Sequence, residues 1–225
     1  MGKKVPKSLI IAIDGPAGSG KSTVSKIVAE RLALLYIDTG AMYRAITLKA
    51  MRQGIDLEDE DALVSLARST KVSLEEKNKP GVFLDGEDVS LAVRRPDVTA
   101  NVKHIARIPG VRHEMVALQR AIANGHGGAI LEGRDIGTVV FPNADYKFYL
   151  DASPQERAKR RYKELIESGE AASEISVKED ILTRDDSDMK RNVGALKKPD
   201  DAIFIDTTGL SIDGVTGKIL KYICA

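Results

Sequence analysis

Cysteine is almost absent. Cys224 stands alone in 225 residues, so neither an intrachain disulfide nor a cysteine-rich zinc site can form. The three histidines do not fill that gap. His113-Glu114 begins like H-E-x-x-H, but position 117 is Ala, so the metal pattern fails and an exposed helical histidine is expected. An excess of one charge is missing too: 34 Lys and Arg stand against 33 Asp and Glu. The net charge of +1 gives no whole-protein field to draw in nucleic acid or an anionic membrane, and any polyanion binding must be local. There is no apolar run of about 18 residues, and the stretch after the basic residues 2–7 is too short for a signal core. A cytoplasmic protein with no nucleic-acid or membrane partner is expected. With no apolar surface stripe left over, it should be a monomer.

What is present is a globular balance of 43% apolar and 30% charged residues, in a chain of a length that suggests one core carrying insertions. Short apolar runs at Leu9–Ile13, Ala129–Leu131, Tyr146–Leu150 and Ile203–Ile205 recur among helical patterns, which implies α/β organisation around a parallel sheet with covered faces. Val111, Met115, Leu118 and Ile122 recur at helical spacing. Ser153-Pro154 with Glu156 starts another helix, and Ser211 caps a last one running to about Tyr222. Lys71–Glu75 and Gly81–Leu84 read as short strands, joined by Lys77-Asn78-Lys79-Pro80 and followed by Asp85-Gly86, so a small β element is inserted. Residues 157–191 are densely charged, helical in propensity and poor in large apolar side chains, as suits a mobile helical flap.

The segment Gly15-Pro16-Ala17-Gly18-Ser19-Gly20-Lys21-Ser22-Thr23 follows the first apolar run and leads into the helical pattern Val24, Ile27, Val28, Leu32. It matches the phosphate-loop pattern G-x-x-x-x-G-K-S/T, in which glycines let the backbone curl so that N–H groups face a polyphosphate at a helix N-terminus. Lys21 would reach the terminal phosphates, and the Ser22 hydroxyl would serve Mg²⁺. The loop alone does not separate GTPases, motor ATPases and small-molecule kinases. Asp206-Thr207-Thr208-Gly209 resembles D-x-x-G, but no N-K-x-D guanine motif follows, and Asp206 reads as a strand-end residue opening a turn. Arginines crowd the loops instead: Arg44, Arg112, Arg134, Arg157, Arg160, Arg161, Arg184 and Arg191. A guanidinium grips two phosphate oxygens at once and stays protonated, as phosphoryl transfer requires. Arg160 and Arg161 suit a solvated helix face. Arg134 lies just past a buried strand, where parallel sheets bind ligands, and Glu132 stands either as an acid beside a metal-phosphate site or as an ordinary strand-end carboxylate.

Asp38-Thr39-Gly40-Ala41-Met42-Tyr43-Arg44 resembles the acceptor-binding segment of bacterial-type cytidylate kinases, and the similarity spans the chain. Gly86-Glu87-Asp88-Val89-Ser90 matches that family's inserted β element, and Val111-Arg112 with Gln119-Arg120 its V-R…Q-R helix. Glu132-Gly133-Arg134-Asp135-Ile136-Gly137-Thr138-Val139-Val140-Phe141-Pro142 resembles its most distinctive block, and Arg184-Asp185-Asp186 with Asp188 and Arg191 its lid signature. Thr39 stands where many relatives carry Ser, Lys103 where some use a serine near the acceptor sugar, and Ala195 where the usual pair begins with Pro.

The resemblance implies a P-loop nucleoside monophosphate kinase fold, with a parallel β-sheet core flanked by helices, a β-containing insertion in the acceptor-binding region and a helical lid. The expected organisation is one kinase domain, with a core at 1–38, 104–156 and 192–225, an acceptor-binding region at 39–103 and a lid at 157–191. It implies ATP with Mg²⁺ as phosphoryl donor and CMP or dCMP as acceptor. Gly15, Pro16, Ala17, Gly18, Ser19, Gly20, Lys21, Ser22 and Thr23 would hold ATP, with Ser22 as metal ligand. Thr39, Tyr43, Arg44, Lys103, Arg112, Arg134, Asp135, Arg184, Asp188 and Arg191 would form the CMP site. Within it Thr39 and Asp135 would read the cytosine amino edge with Arg112 and Arg191, Arg44 and Arg134 would hold the phosphate, and Asp188 a sugar hydroxyl. Lys21, Arg134, Arg157, Arg184 and Arg191 would be catalytic. Two other readings remain at this point: a kinase for UMP, AMP or another small acceptor, and a non-catalytic nucleotide-binding module.

Overall fold

A computed structural model of the protein describes residues 9–76, 79–167 and 169–224. The basic residues 2–7, and Lys77-Asn78 of the turn expected at Lys77-Asn78-Lys79-Pro80, lie outside the described residues, while Lys79 and Pro80 of that turn belong to a strand. The chain divides into two compact units, Met1–Tyr36 with Ala123–Ala225, and Ile37–Ile122.

The first unit is built on β1 (Leu9–Asp14), whose apolar run is buried almost continuously rather than alternately. That pattern marks a strand covered on both faces, and β1 accordingly occupies the middle of a five-stranded sheet. α1 (Lys21–Leu32) follows the phosphate loop, and β2 (Leu35–Asp38) carries the chain towards the second unit. After that unit come β6 (Gly128–Gly133), β7 (Tyr146–Asp151), the helices α6 (Pro154–Glu167) and α7 (Glu174–Met189), β8 (Ile203–Asp206) and α8 (Ile212–Cys224). The strand order is β2-β6-β1-β7-β8. β1 runs parallel to both β6 and β7, and β7 parallel to β8. Asp14 is in register with Gly133 on one side and Tyr149 on the other, so the phosphate loop and the segment from Arg134 leave the same end of the sheet. Leu9, Ile11, Ile13, Ile130, Phe148 and Leu150 pack with Val24 and Val28 of α1 and Val215 and Ile219 of α8 in one core.

The expected helix starts are met: Ser153 Oγ accepts from the Glu156 N–H at 3.3 Å, and Ser211 Oγ from the Gly214 N–H at 3.1 Å. Strand β2 was not expected, because its apolar residues Leu35, Tyr36 and Ile37 follow Leu32-Ala33-Leu34 of the preceding helical pattern with no Gly or Pro between to mark a boundary. Between Ile136 and Val140 the chain makes a single π-helical turn.

The second unit contains α2 (Thr39–Arg52), α3 (Glu60–Ser69), the strands β3 (Val72–Glu76), β4 (Lys79–Leu84) and β5 (Glu87–Asp88), a 3₁₀ turn (Ala92–Arg94), α4 (Pro96–Ala106) and most of α5 (Pro109–Gly125). The β element has three antiparallel strands where two were expected. Asp85 and Gly86, at φ 51° and 91°, make the two-residue turn that brings β5 back onto β4. Lys49 of α2 pins that turn through Asp85 at 2.7 Å. No helix among the described residues is long and apolar enough to cross a membrane.

Candidate active site

In the first unit the loop between β1 and α1 is pressed against its surroundings. A Cβ on Gly15 would stand 2.0 Å from the Leu150 carbonyl oxygen, and one on Gly18, at φ +74°, 2.7 Å from that of Arg157. No other residue fits either place. Lys21 is buried, donating to the Pro16 carbonyl at 2.6 Å and to Ser19 Oγ at 3.2 Å. Burial, followed by the charge of Arg134, lowers its pKa to about 7 against the pull of Glu132. The first turn of α1 carries no acidic side chain and no side-chain cap, and Ser22 is exposed there. The positive end of that helix is thus open to an anion.

Beside the loop, Glu132 accepts from the Tyr36 hydroxyl at 2.6 Å. Arg134 donates from Nε to Asp188 Oδ2 at 2.7 Å, and Arg191 pairs with the other oxygen of the same carboxylate. Burial alone would push the Asp188 carboxyl up, but Arg134, Arg191 and Arg184 outweigh it and hold the group below the ordinary range. The structure therefore brings together Lys21, Arg134, Arg184, Asp188 and Arg191.

Arg157, expected among the catalytic arginines, is buried and grips backbone: Nε donates to the Ala152 carbonyl at 3.0 Å, and Nη1 to that of Ala17 at 3.1 Å and to Asp185 at 2.5 Å. Arg160 differs from the solvated position expected for it, because it reaches Thr207, donating to the hydroxyl at 3.0 Å and the carbonyl at 2.7 Å. Arg161 pairs with Glu164 on the exposed face. Asp206 accepts from the Thr208 N–H at 2.8 Å and opens a turn.

Two residues of this unit carry site geometry that their sequence context did not single out. Asp14, a carboxylate ending an otherwise apolar strand, accepts from the N–H groups of Ile136 at 2.8 Å and Gly137 at 2.7 Å. It thereby fixes the turn that follows the buried Asp135. Burial pushes its pKa up to about 6 in spite of those two bonds. Thr207 lies with its hydroxyl 3.2 Å from the Ser19 carbonyl and 3.0 Å from that of Asp151. A charge inside an apolar run was the visible signal for Asp14; a threonine in a turn carries none.

In the second unit Thr39 opens α2, buried beside Asp38, which caps the helix by accepting from the Ala41 N–H at 2.8 Å. Arg44, one turn on, lies 3.4 Å from the same carboxylate, and its Nε is buried with no hydrogen-bond partner. The buried Arg112 stacks over the Tyr43 ring at 5.4 Å and donates to the Ala106 carbonyl at 3.1 Å. Lys103 is exposed on α4. Among the described residues no group of three His, Cys, Asp or Glu side chains could hold a metal ion.

Comparison with known proteins agrees with this arrangement. Residues 11–225 match the family model described as cytidylate kinase. The chain is 51% identical over 214 residues to the cytidylate kinase of Geobacillus sp. (strain WCH70), covering 95% of each chain. With the cytidylate kinase of Symbiobacterium thermophilum it shares 48% over 218 residues, 96% of each. In fold it resembles an uncharacterized protein from Eubacterium ventriosum ATCC 27560, with a TM-score of 0.54 at 16% identity over 96% of this chain and 98% of the other. A gluconokinase from Sinorhizobium meliloti 1021 gives 0.51 at 14% identity over 97% and 93%. With a parallel sheet led by a phosphate loop and a match running almost end to end, the chain belongs to the cytidylate kinase family.

Proposed function

We propose that the protein transfers the γ-phosphoryl group of ATP to CMP or dCMP, giving ADP and CDP or dCDP. An oxygen of the acceptor phosphate attacks the γ-phosphorus in line, while the bond to the β–γ bridging oxygen breaks and its electron pair leaves on ADP. The acceptor oxygen is already anionic, so no general base is needed. The observation that carries the reading is a buried lysine set among guanidinium groups: Lys21 is depressed to about 7 by burial and then by Arg134, with Arg184 adding to it. A polyphosphate supplies the opposite charge that such a cluster calls for.

Gly15 to Thr23 would hold the ATP phosphates. Mg²⁺ would come with them, since that ion commonly keeps several waters and takes few protein ligands, and Ser22, exposed in the first turn of α1, would offer it Oγ. Held there, the ion would supply charge neutralisation to the phosphates. Lys21, Arg134, Arg184 and Arg191 would meet the charge that spreads over the transferring group. Arg157 works through Ala17 and Asp185, as a positioning residue. On the acceptor, Thr39, Arg112 and Asp135 would read the cytosine with Arg191, against Tyr43; Arg44 and Arg134 would take the phosphate, and Asp188 and Lys103 would lie towards the sugar. Asp135 is the group that separates cytosine from uracil, because a carboxylate accepts from an exocyclic amine and repels a carbonyl. Residues 157–191 act as a lid, 39–103 as the acceptor-binding region, and 1–38, 104–156 and 192–225 as the core. The protein would work as a cytoplasmic monomer on free nucleotides, in pyrimidine metabolism.

The test is ADP formation from Mg·ATP with CMP, dCMP, UMP, AMP and GMP offered separately, beside a control without acceptor. CMP and dCMP should dominate, and Asp135→Ala should cut CMP use by roughly 10²-fold while sparing UMP. ADP release that ignores the acceptor would sink the reading. Binding of ATP should also raise the Lys21 pKa, so calorimetry near pH 7.5 in buffers of different ionisation enthalpy should record proton uptake that Lys21→Met abolishes.

A further inference from the structure

Asp38 uses both carboxylate oxygens. Oδ1 caps α2, while Oδ2 lies 3.4 Å from a terminal nitrogen of Arg44 and 3.5 Å from one of Arg94. One negative charge thus faces two positive ones, and one guanidinium charge is left uncompensated at the head of the helix. Both contacts are longer than the roughly 2.7–2.9 Å of a strong charge-assisted bond, so either guanidinium can turn to a better acceptor. Arg44 also keeps its buried, unpartnered Nε. Gly40 leaves the space these groups occupy, since a Cβ there would stand 3.1 Å from Arg44 Nη1 and 3.3 Å from Asp38 Oδ1.

Arg94 belongs to none of the motifs and has no other assigned role. Its position is nonetheless fixed by the fold. The 3₁₀ turn that carries it is anchored by the buried Val93, whose N–H donates to the Val89 carbonyl at 3.0 Å. Val89, buried in turn, donates to the Val82 carbonyl of β4 at 2.8 Å. The turn packs on α2. The β element therefore ends by setting one arginine against the helix cap, with the side chain 54% exposed and open to a ligand.

We propose that Arg94 is a further phosphate-binding residue of the acceptor site, gripping the acceptor's phosphate monoester together with Arg44 while Asp38 holds the two guanidinium groups in place between turnovers. The proposal rests on the acceptor reading given above, and it gives the β insertion a chemical role, the delivery of a cation. A phosphate monoester near pH 7 carries about −1.5 to −2 charges, enough to recruit both arginines from a single carboxylate.

The neighbouring residue supplies the control. Arg95 is comparably exposed and its replacement changes net charge equally, but it is paired with Asp97 at 2.5 Å. Kinetics with CMP and ATP, and calorimetric binding of CMP and of cytidine, should be compared for Arg94→Met, Arg94→Lys and Arg95→Met. Arg94→Met should raise the KM and Kd for CMP about tenfold, leave the KM for ATP and the affinity for cytidine unchanged, and keep the Tm. Arg94→Lys should recover part of the loss, and Arg95→Met should stay within about twofold of the parent. Loss of CMP affinity no greater than in Arg95→Met, or an equal loss for cytidine, would overturn the proposal. Should the parent protein prefer another nucleoside monophosphate, the functional reading fails separately, and the same comparison with that acceptor and its nucleoside still decides the role of Arg94.

Discussion

The strand core and the helix pair α6–α7 belong to the same compact unit, yet different forces hold them. The sheet is closed by fully buried aliphatic and aromatic side chains, Ile11, Ile13, Ile130, Phe148 and Leu150 among them. Among the described residues the helix pair has a small core of Ala158, Val177 and Ile181, with Tyr162, Leu165 and Ala172 beside it. Ile166, Ile175, Leu182 and Met189 remain exposed. What secures the pair is charge: Arg157 with Asp185, and Asp188 between Arg134 and Arg191. Apolar packing favours one arrangement, because any displacement opens a cavity. Ion pairs can exchange partners, and Arg134 and Arg191 are the groups that the proposed function assigns to the transferring phosphate. On that proposal, the same charges would hold the helices and answer the substrate.

The strongest way to break the contrast is Arg157→Met, which leaves the buried Asp185 without its cation and should cost about 3–5 kcal/mol. Chemical denaturation should register the loss, and turnover should fall because Ala17 loses its anchor. Leu150→Ala attacks the other side of the comparison and should cost about 3 kcal/mol in a single cooperative transition. Ile181→Ala should cost about 2 kcal/mol, read as faster hydrogen exchange confined to α6 and α7 with the global midpoint nearly unchanged. An equal drop in the global midpoint would show that the helix pair is no separate cooperative unit.

The smallest effect sharpens the comparison from inside the sheet. Asp14 has a folded-state pKa of about 6 against an ordinary 3.8, so the stability it contributes is complete below about pH 4 and lost as pH rises through 6. Asp14→Asn should remove that segment of the profile of Tm against pH. It should also loosen the turn after Asp135, since an amide offers one acceptor oxygen to two backbone N–H groups.

Much of the fold was legible in local sequence. The phosphate loop, four strands of the sheet and the capped starts of α6 and α8 carry signals within a few residues of each other, as hydrophobic run, glycine spacing or cap. Other features depend on partners distant in sequence. Strand β2 runs on from the apolar end of α1 without a sequence break, and it is its place beside β6 that makes it a strand. Strand β5, two exposed residues long, exists because Asp85-Gly86 turns it onto β4. The candidate site divides in the same way. Lys21, Arg134, Asp188 and Arg191 stand in recognisable motifs, whereas Thr207 matters through the carbonyls of Ser19 and Asp151, and Arg94 through Asp38.

The sequence by itself determined the chemistry available: a phosphate-binding loop, a surplus of arginine at loop positions, and the motif order of the cytidylate kinase family. Only the tertiary structure decided which arginines are fully paired within the protein and which keep charge in excess. Arg157 and Arg160 are drawn by buried backbone carbonyls and a neighbouring carboxylate or hydroxyl into structural bonds, while Arg44 and Arg94 share a single carboxylate and keep positive charge in excess. A guanidinium looks the same in any sequence, and its role is set by the count of acceptors within reach, which is a property of the folded chain alone.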